Sequence, residues 1–240
     1  MPQVLSNREL NRATLSRQLL LARSDRGIVE TVEWLLGQQA QQTHDPYIGL
    51  WSRLIGFRHE ALTALIVDRT LLRATTMRGT LHLHTADDLM GIRALVQPFL
   101  RSSWLSGFRK RFAGNDEAAV LGLARQLLDA RPMTGGELGK ALKERFPTAD
   151  QLSMTMLLQA TDVLVQIPPT RIWGSGHAPV LTRLQNWLPD PYERPLAREA
   201  LVRRYLAAYG PASVADMQSW SRLTRLGEVF DALGGELVRF

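Results

Sequence analysis

Residues Thr70 to Thr85, TLLRATTMRGTLHLHT, break the rhythm of an otherwise helical sequence. Leu81 and Leu83 alternate with His82 and His84, the period of two that places successive side chains on opposite faces of a strand. Met77-Arg78-Gly79 sits mid-segment, where a hairpin would turn. Ahead of it, apolar residues recur at helical spacing. Leu10 to Arg23 reads as a first helix, broken by Ser24-Asp25-Arg26-Gly27. Ile28 to about Gln42 reads as a second. Asp45-Pro46 opens a third, because proline suits the first helical position, and His59 to Asp68 makes a fourth. A hairpin that closes a group of helices tightly limits the available folds.

The plan recurs. A long helical stretch, Ala86 to Phe112, leads to a helix over Asn115 to Ala130. Thr134 and Glu137 have the spacing of a capping box ahead of a helix at Leu138 to Phe146. Leu152 to Ala160 is then the third helix of the group, in the recognition position. Val163 to Pro168 and Ala178 to Leu184 are strands around a turn at Arg171 to Gly176. A third group follows the proline-rich link Trp187 to Pro191: helices at Glu199 to Tyr209, Val214 to Trp220 and Leu226 to Leu233. Gly234-Gly235 ends the last helix, and Glu236 to Phe240 reads as a first wing strand with no returning partner. The expected fold is mainly α with small β-hairpins, arranged as tandem winged-helix (helix-turn-helix) units. Their expected bounds are 1–86, 87–187 and 188–240, the last incomplete at its wing.

Composition removes several function classes. The 240 residues contain no cysteine, so no disulfide, thiolate metal site or cysteine nucleophile is available. No apolar run reaches the ~18 residues of a membrane span, and the N-terminus has no signal-peptide pattern. A cytoplasmic, nucleoid-associated monomer is the expectation. Lys and Arg number 29 against 23 Asp and Glu, and all but Lys110, Lys140 and Lys143 of these cations are Arg. Arginine's planar fork suits phosphate, although a GC-rich genome produces the same bias. Gly174-Ser175-Gly176 lacks the flanks of a phosphate loop, and Gly-x-Ser-x-Gly is absent. No nucleotide cofactor or serine nucleophile is implied.

Three segments carry a family resemblance: Leu35 to Gln41 with Asp45-Pro46 and Leu50 to Leu54; Met77 to Leu83 before Ala86 to Leu89; and Arg204 to Asp216 with Trp220. In this order and spacing they resemble the winged-helix DNA glycosylases of the AlkZ/YcaQ type. The resemblance implies three tandem winged-helix units, and typical members add a C-terminal β-barrel region beyond the part matched here, so the chain reads as C-terminally shortened. The family's catalytic Gln-x-Gln signature falls on Gln39 and Gln41. A related branch has Asp at the second position; glutamine there resembles the crosslink-unhooking branch, which hydrolyses the N-glycosidic bond of N7-alkylated purines. The implied partner is damaged duplex DNA, without a cofactor or metal. The rival readings are a non-catalytic DNA-binding protein or transcriptional regulator, and an inactive truncated relative.

Glutamine is not a general base near neutrality, but it can orient water and turn its carbonyl dipole towards positive charge. An N7-alkylated purine is already cationic and leaves without protonation, and the sugar becomes oxocarbenium-like. The residual task is to position water and stabilise charge. Residues 39 and 41 lie ~200° apart on an ideal helix, so a site holding both requires backbone that leaves α geometry. A solvated helix end is the plain alternative for Gln38 to Gln42.

His44 and Asp45 are the alternative acid–base candidates, with an N-cap role competing for Asp45. Glu33 fits a solvated helix face. His82 and His84 share a strand face at a spacing that could hold a metal, without further ligands nearby. Candidate DNA contacts are Arg78 at the hairpin turn, the run Arg109-Lys110-Arg111, and Arg171 with Trp173 on the second wing. Surface roles compete for each, and Trp173 could instead fold back onto the core.

Overall fold

The computed structural model describes residues 4–188 and 195–240. Of the proline-rich link expected at Trp187 to Pro191, Pro189 to Pro191 lie outside the described residues. Helix α1, Asn7–Arg17, starts earlier than its apolar pattern because Ser6 and Glu9 form a capping box. It ends at Arg17, short of the expected Arg23: Leu19 adopts a left-handed conformation, and Leu20 and Leu21 are left largely exposed.

Helix α2, Ile28–Trp34, is also shorter than predicted. Leu36 (φ 54°) and Gly37 (φ 94°) are both left-handed, so the chain leaves the helix and enters strand β1, Gln38–Gln39. Glycine is required at 37 twice over. A Cβ there would lie 2.3 Å from the imidazole of His84, in addition to the strain of a positive φ. Helices α3 (Asp45–Trp51) and α4 (His59–Val67) follow. Strands β2 (Leu71–Thr75) and β3 (Leu81–Thr85) form the predicted hairpin, joined by a single 3-10 turn at Met77–Gly79.

Thr85 caps α5, Ala86–Gly107, a 22-residue beam ~33 Å long. It is followed by a 3-10 turn at Arg109–Phe112. Helix α6 (Glu117–Ala130), strand β4 (Met133–Thr134), helices α7 (Gly135–Arg145) and α8 (Gln151–Thr161), strands β5 (Leu164–Ile167) and β6 (Val180–Arg183) and the short helix α9 (Leu184–Trp187) complete the second group. The Thr134–Glu137 capping box forms as its spacing predicts. Helices α10 (Arg198–Tyr209), α11 (Val214–Ser221) and α12 (Leu226–Ala232) make the third. Glu236 to Phe240, read as a strand, is not one. No described strand lies beside it, Val238 and Phe240 face solvent, and Glu236 is held instead by a two-pronged ion pair with Arg203.

Helix, strand, helix, helix, hairpin is the winged-helix order, and it occurs twice. The two copies share one antiparallel sheet of order β1-β3-β2-β5-β6-β4, palindromic about the β2–β5 seam. At that seam Arg73 faces Gln166 and Ala74 faces Val165. The wings are therefore joined rather than free. Leu72, Ala74, Leu89, Val165, Ile167 and Leu184 pack behind the seam. Val32, Tyr47, Leu50, Leu62, Leu71 and Leu83 fill the first group. The largest cluster runs from Ile92, Leu100 and Trp104 of α5 through α6 and α8 to Leu201 and Tyr205 of α10.

Helix α8 occupies the recognition position of the second copy but lies under α5. Arg93 donates to the Gln159 and Asp162 carbonyls, Gln97 to the Ala160 carbonyl, and the buried Trp104 indole to the Ser153 carbonyl at 2.8 Å. The Arg93 and Gln97 bonds satisfy carbonyls at the C-terminal end of α8, and together with the Trp104 bond they tie α8 to α5. Among the described residues no helix is long and apolar enough to cross a membrane.

Candidate active site

The left-handed turn at Leu36-Gly37, the 3-10 turn of the first hairpin and the α10–α11 junction converge on one cavity of about 270 Å³. Leu35, Gly37, Gln38 and Gln39 line it from around β1, and Asp45 and Arg53 from the two ends of α3. Met77, Arg78 and His82 line it from the hairpin, and Tyr209 and Trp220 from α10 and α11. These segments are far apart in sequence.

Gln38 and Gln39 form strand β1 and the chain bends from Gln41 onward, which replaces the predicted helix end. Gln38 pairs with Leu83 and Gln39 with His82, and the Ala40 amide donates to the Leu81 carbonyl at 2.8 Å. On extended backbone, residues two apart share a face. Gln38 and Ala40 are buried, whereas Gln39 and Gln41 are exposed together. Gln38 lies against Gly49, where a Cβ would sit 2.7 Å from its amide nitrogen. Gln39 lines the cavity, and its Oε1 accepts from Arg78 at 3.2 Å. Gln41 lies outside the lining, with its Oε1 accepting from the Leu81 amide at 3.2 Å.

Arg78, itself left-handed (φ 58°), turns inward from the hairpin. One Nη donates to the Trp220 carbonyl at 2.7 Å; the other reaches Gln39 and lies 3.5 Å from His82 Nε2. Burial lowers its pKa. His82 Nδ1 is 3.0 Å from the Thr80 carbonyl, so Nδ1 carries the proton and Nε2 keeps its lone pair. Burial pushes His82 down to about 4, with the Arg78 cation acting in the same direction. His84 is wholly buried beside the Thr76 hydroxyl at 3.0 Å, and burial holds it well below the ordinary histidine value. Both rings are therefore neutral at pH 7. Among the described residues no cluster of three or more His, Cys, Asp or Glu side chains is placed to hold a metal.

The third helical group closes the cavity. Tyr209 donates to the Leu35 carbonyl at 2.7 Å, is pushed up to about 12 by burial, and packs against Tyr205 and Trp220. Arg204 clamps Asp88 with two hydrogen bonds and reaches the Glu33 carbonyl. Arg53 donates to the Gln18 and Gly49 carbonyls. Sequence reasoning assigned no site role to Arg53, Tyr209 or Trp220. The signal available was the resemblance itself: Arg53 lies in its first segment and Tyr209 and Trp220 in its third.

Of the remaining candidates, Asp45 alone is in the cavity lining. Arg109, Lys110 and Arg111 are exposed on the 3-10 turn after α5, with Arg111 3.5 Å from Asp150. Arg171 is left-handed and donates to the Thr43 hydroxyl at 3.2 Å. Trp173 folds back onto the first group: it stacks on His59 at 5.1 Å, meets His44 edge-on at 4.8 Å and packs against Tyr47. It remains 42% exposed. Asp45 is not an N-cap. It sits in the first turn of α3 and accepts the Gln42 amide at 2.8 Å, while His44 takes the cap position without a side-chain bond.

A relative from Streptomyces sahachiroi, an interstrand DNA cross-link repair glycosylase, is 26% identical over 93% of this chain. A solved structure of the same organism's DNA glycosylase AlkZ superposes with a TM-score of 0.74 at 23% identity, also over 93% of the chain. In both comparisons the chain spans 64% of the other protein's length. The fold is thus shared across nearly all of the present sequence. The family model of AlkZ-like DNA glycosylases matches residues 32–240, the span that contains β1, the first hairpin and the α10–α11 junction, and the chain belongs to that family.

Proposed function

We propose that this chain is a monofunctional DNA glycosylase that hydrolyses the N-glycosidic bond of N7-alkylated purines in duplex DNA and unhooks interstrand crosslinks built on such purines. The observation that carries the reading is the placement of Gln39 in a cavity walled by all three resemblance-bearing segments. The repair activity named for the Streptomyces sahachiroi relative agrees with it.

The cationic purine needs no acid, so the protein must supply an oriented water and a place for the sugar's developing charge. Gln39, with its carbonyl held by Arg78, presents a fixed dipole. Gln41, on the same face, keeps β1 on the hairpin edge through Leu81 and is the second water-positioning candidate. Arg109, Lys110, Arg111, Arg171 and Trp173 are proposed as backbone and groove contacts, and Arg78 as a contact at the lesion. The protein works as a monomer at the nucleoid, without metal or cofactor, and is divided into units at 86/87 and 187/188.

The test is base release from duplex DNA carrying one N7-methylguanine. The wild type is expected to release the base, and a folded Gln39→Ala/Gln41→Ala variant to lose ~10²-fold or more in rate. A variant that keeps the wild-type rate overturns the assignment. The doubled winged-helix layout by itself also suits a regulator. That reading requires one DNA sequence to be bound far above others, whereas a repair enzyme prefers damage to sequence.

A further inference from the structure

The glutamines leave one part of the chemistry unassigned: an amide cannot take the proton that the attacking water gives up. Among the residues lining the cavity only Asp45 is acidic. Its Oδ2 accepts the Gln42 amide at 2.8 Å, which fixes the carboxylate at the start of α3. No described donor is bonded to Oδ1.

The other ionisable groups of the lining are engaged. Arg53 is held by backbone carbonyls, Arg78 by the Trp220 carbonyl and Gln39, His82 Nδ1 by the Thr80 carbonyl, and the Tyr209 hydroxyl by the Leu35 carbonyl. These four, with Arg73 of β2, whose charge interacts with Asp45, are the titratable and charged groups facing it. Each of the four is a cation or a neutral donor at pH 7. Asp45 Oδ1 is the one anionic oxygen bordering the cavity without a partner among the described residues.

Resting on the glycosylase reading above, we propose that Asp45 is the general base of the reaction. Water oxygen forms a bond to C1′ of the sugar, and the C1′–N9 bond breaks with its electron pair passing to the purine, which leaves neutral. The water proton passes to Asp45 Oδ1 and returns to solvent after release. The carboxylate also places a negative charge beside the oxocarbenium-like sugar.

The experiment is single-turnover base release from the N7-methylguanine duplex across pH, corrected for enzyme-free loss, with wild type, Asp45→Asn and Asp45→Glu. The Asn carbonyl can still accept the Gln42 amide, so the local fold keeps its anchor while the charge is removed. Asp45→Asn is expected to slow release ~10²- to 10³-fold at neutral pH. The wild-type rate is expected to fall in acid, and Asp45→Asn to abolish that fall. Asp45→Glu is expected to regain part of the rate together with that acid fall. Both Asn and wild type carry His82, so the difference between their profiles isolates the carboxylate. An Asn variant within ~3-fold of wild type, or one that keeps the wild-type acid fall, overturns the role of Asp45 and leaves the glycosylase reading standing. A wild type that releases no base overturns both.

Discussion

The edge strand of the first winged-helix copy, Gln38–Gln39, and that of the second, Met133–Thr134, occupy matching places: each pairs with the returning strand of its own hairpin. Their surroundings differ. Gln39 lies opposite His82, and the first hairpin buries Arg73, Thr76, His82 and His84. Thr134 lies opposite Val180, and apart from Thr182 the buried side chains of β5 and β6 are Leu164, Val165, Ile167 and Leu181. β1 is entered through two left-handed residues that aim its glutamines at a cavity, whereas Thr134 simply caps α7. The doubled layout supplies a scaffold, and the buried ionisable groups of the first hairpin, Arg73, His82 and His84, mark where it departs from its repeat, at a cost in stability that the second hairpin does not carry.

The largest contrast is expected at glycine. Gly37→Ala drives a Cβ into His84 and strains a left-handed position, so it should cost ~3 kcal/mol in urea unfolding and remove base release. Gly135→Ala, just after the edge strand of the second half at the start of α7, meets nothing within 4 Å and should be neutral or stabilise by less than ~1 kcal/mol. Equal losses at both positions would break the comparison.

Acid should then separate the halves. His82 is depressed to about 4 in the folded protein, against ~6.5 unfolded. Above ~6.5 both states are neutral and the ring contributes nothing. As pH falls from ~6.5 towards 4 the unfolded chain binds the proton first, so stability drops by ~3 kcal/mol across that window. His84, shifted in the same direction, extends the loss to lower pH. A His82→Gln variant should flatten the curve between pH 6.5 and 4 in chemical denaturation, and an unchanged slope would contradict the assignment.

Two smaller effects sharpen the picture. Arg78→Gly relieves the left-handed backbone but removes the bonds to Gln39 and Trp220; base release should fall ~10-fold for ~1–2 kcal/mol of stability. Thr134→Ala removes a cap and should cost ~1 kcal/mol without changing the rate.

What could be read locally was read. The β2–β3 and β5–β6 hairpins follow from alternation around turn residues, α4 from its period, and the α7 capping box from two side chains three apart. The repeat of helices closed by a hairpin followed from their succession. The non-local features were hidden. Leu36 takes a left-handed conformation against its own preference because tertiary packing demands it, so the glutamines looked like a helix end. The β2–β5 seam joins Arg73 to Gln166, a pairing no local pattern encodes. The covering of α8 by α5, and of the cavity by Tyr209 and Trp220, depends on contacts between elements far apart in the chain. Glu236 to Phe240 has strand-like residues, but no described strand lies beside it, and residue type alone does not make a strand.

The most direct test of the central claim, that the specialised edge strand rather than its repeat carries the chemistry, is single-turnover release of N7-methylguanine by wild type, Gln39→Ala and Thr134→Ala side by side. The account predicts near-complete loss for Gln39→Ala in a folded protein and the wild-type rate for Thr134→Ala. A Gln39→Ala protein that releases the base at the wild-type rate would contradict it.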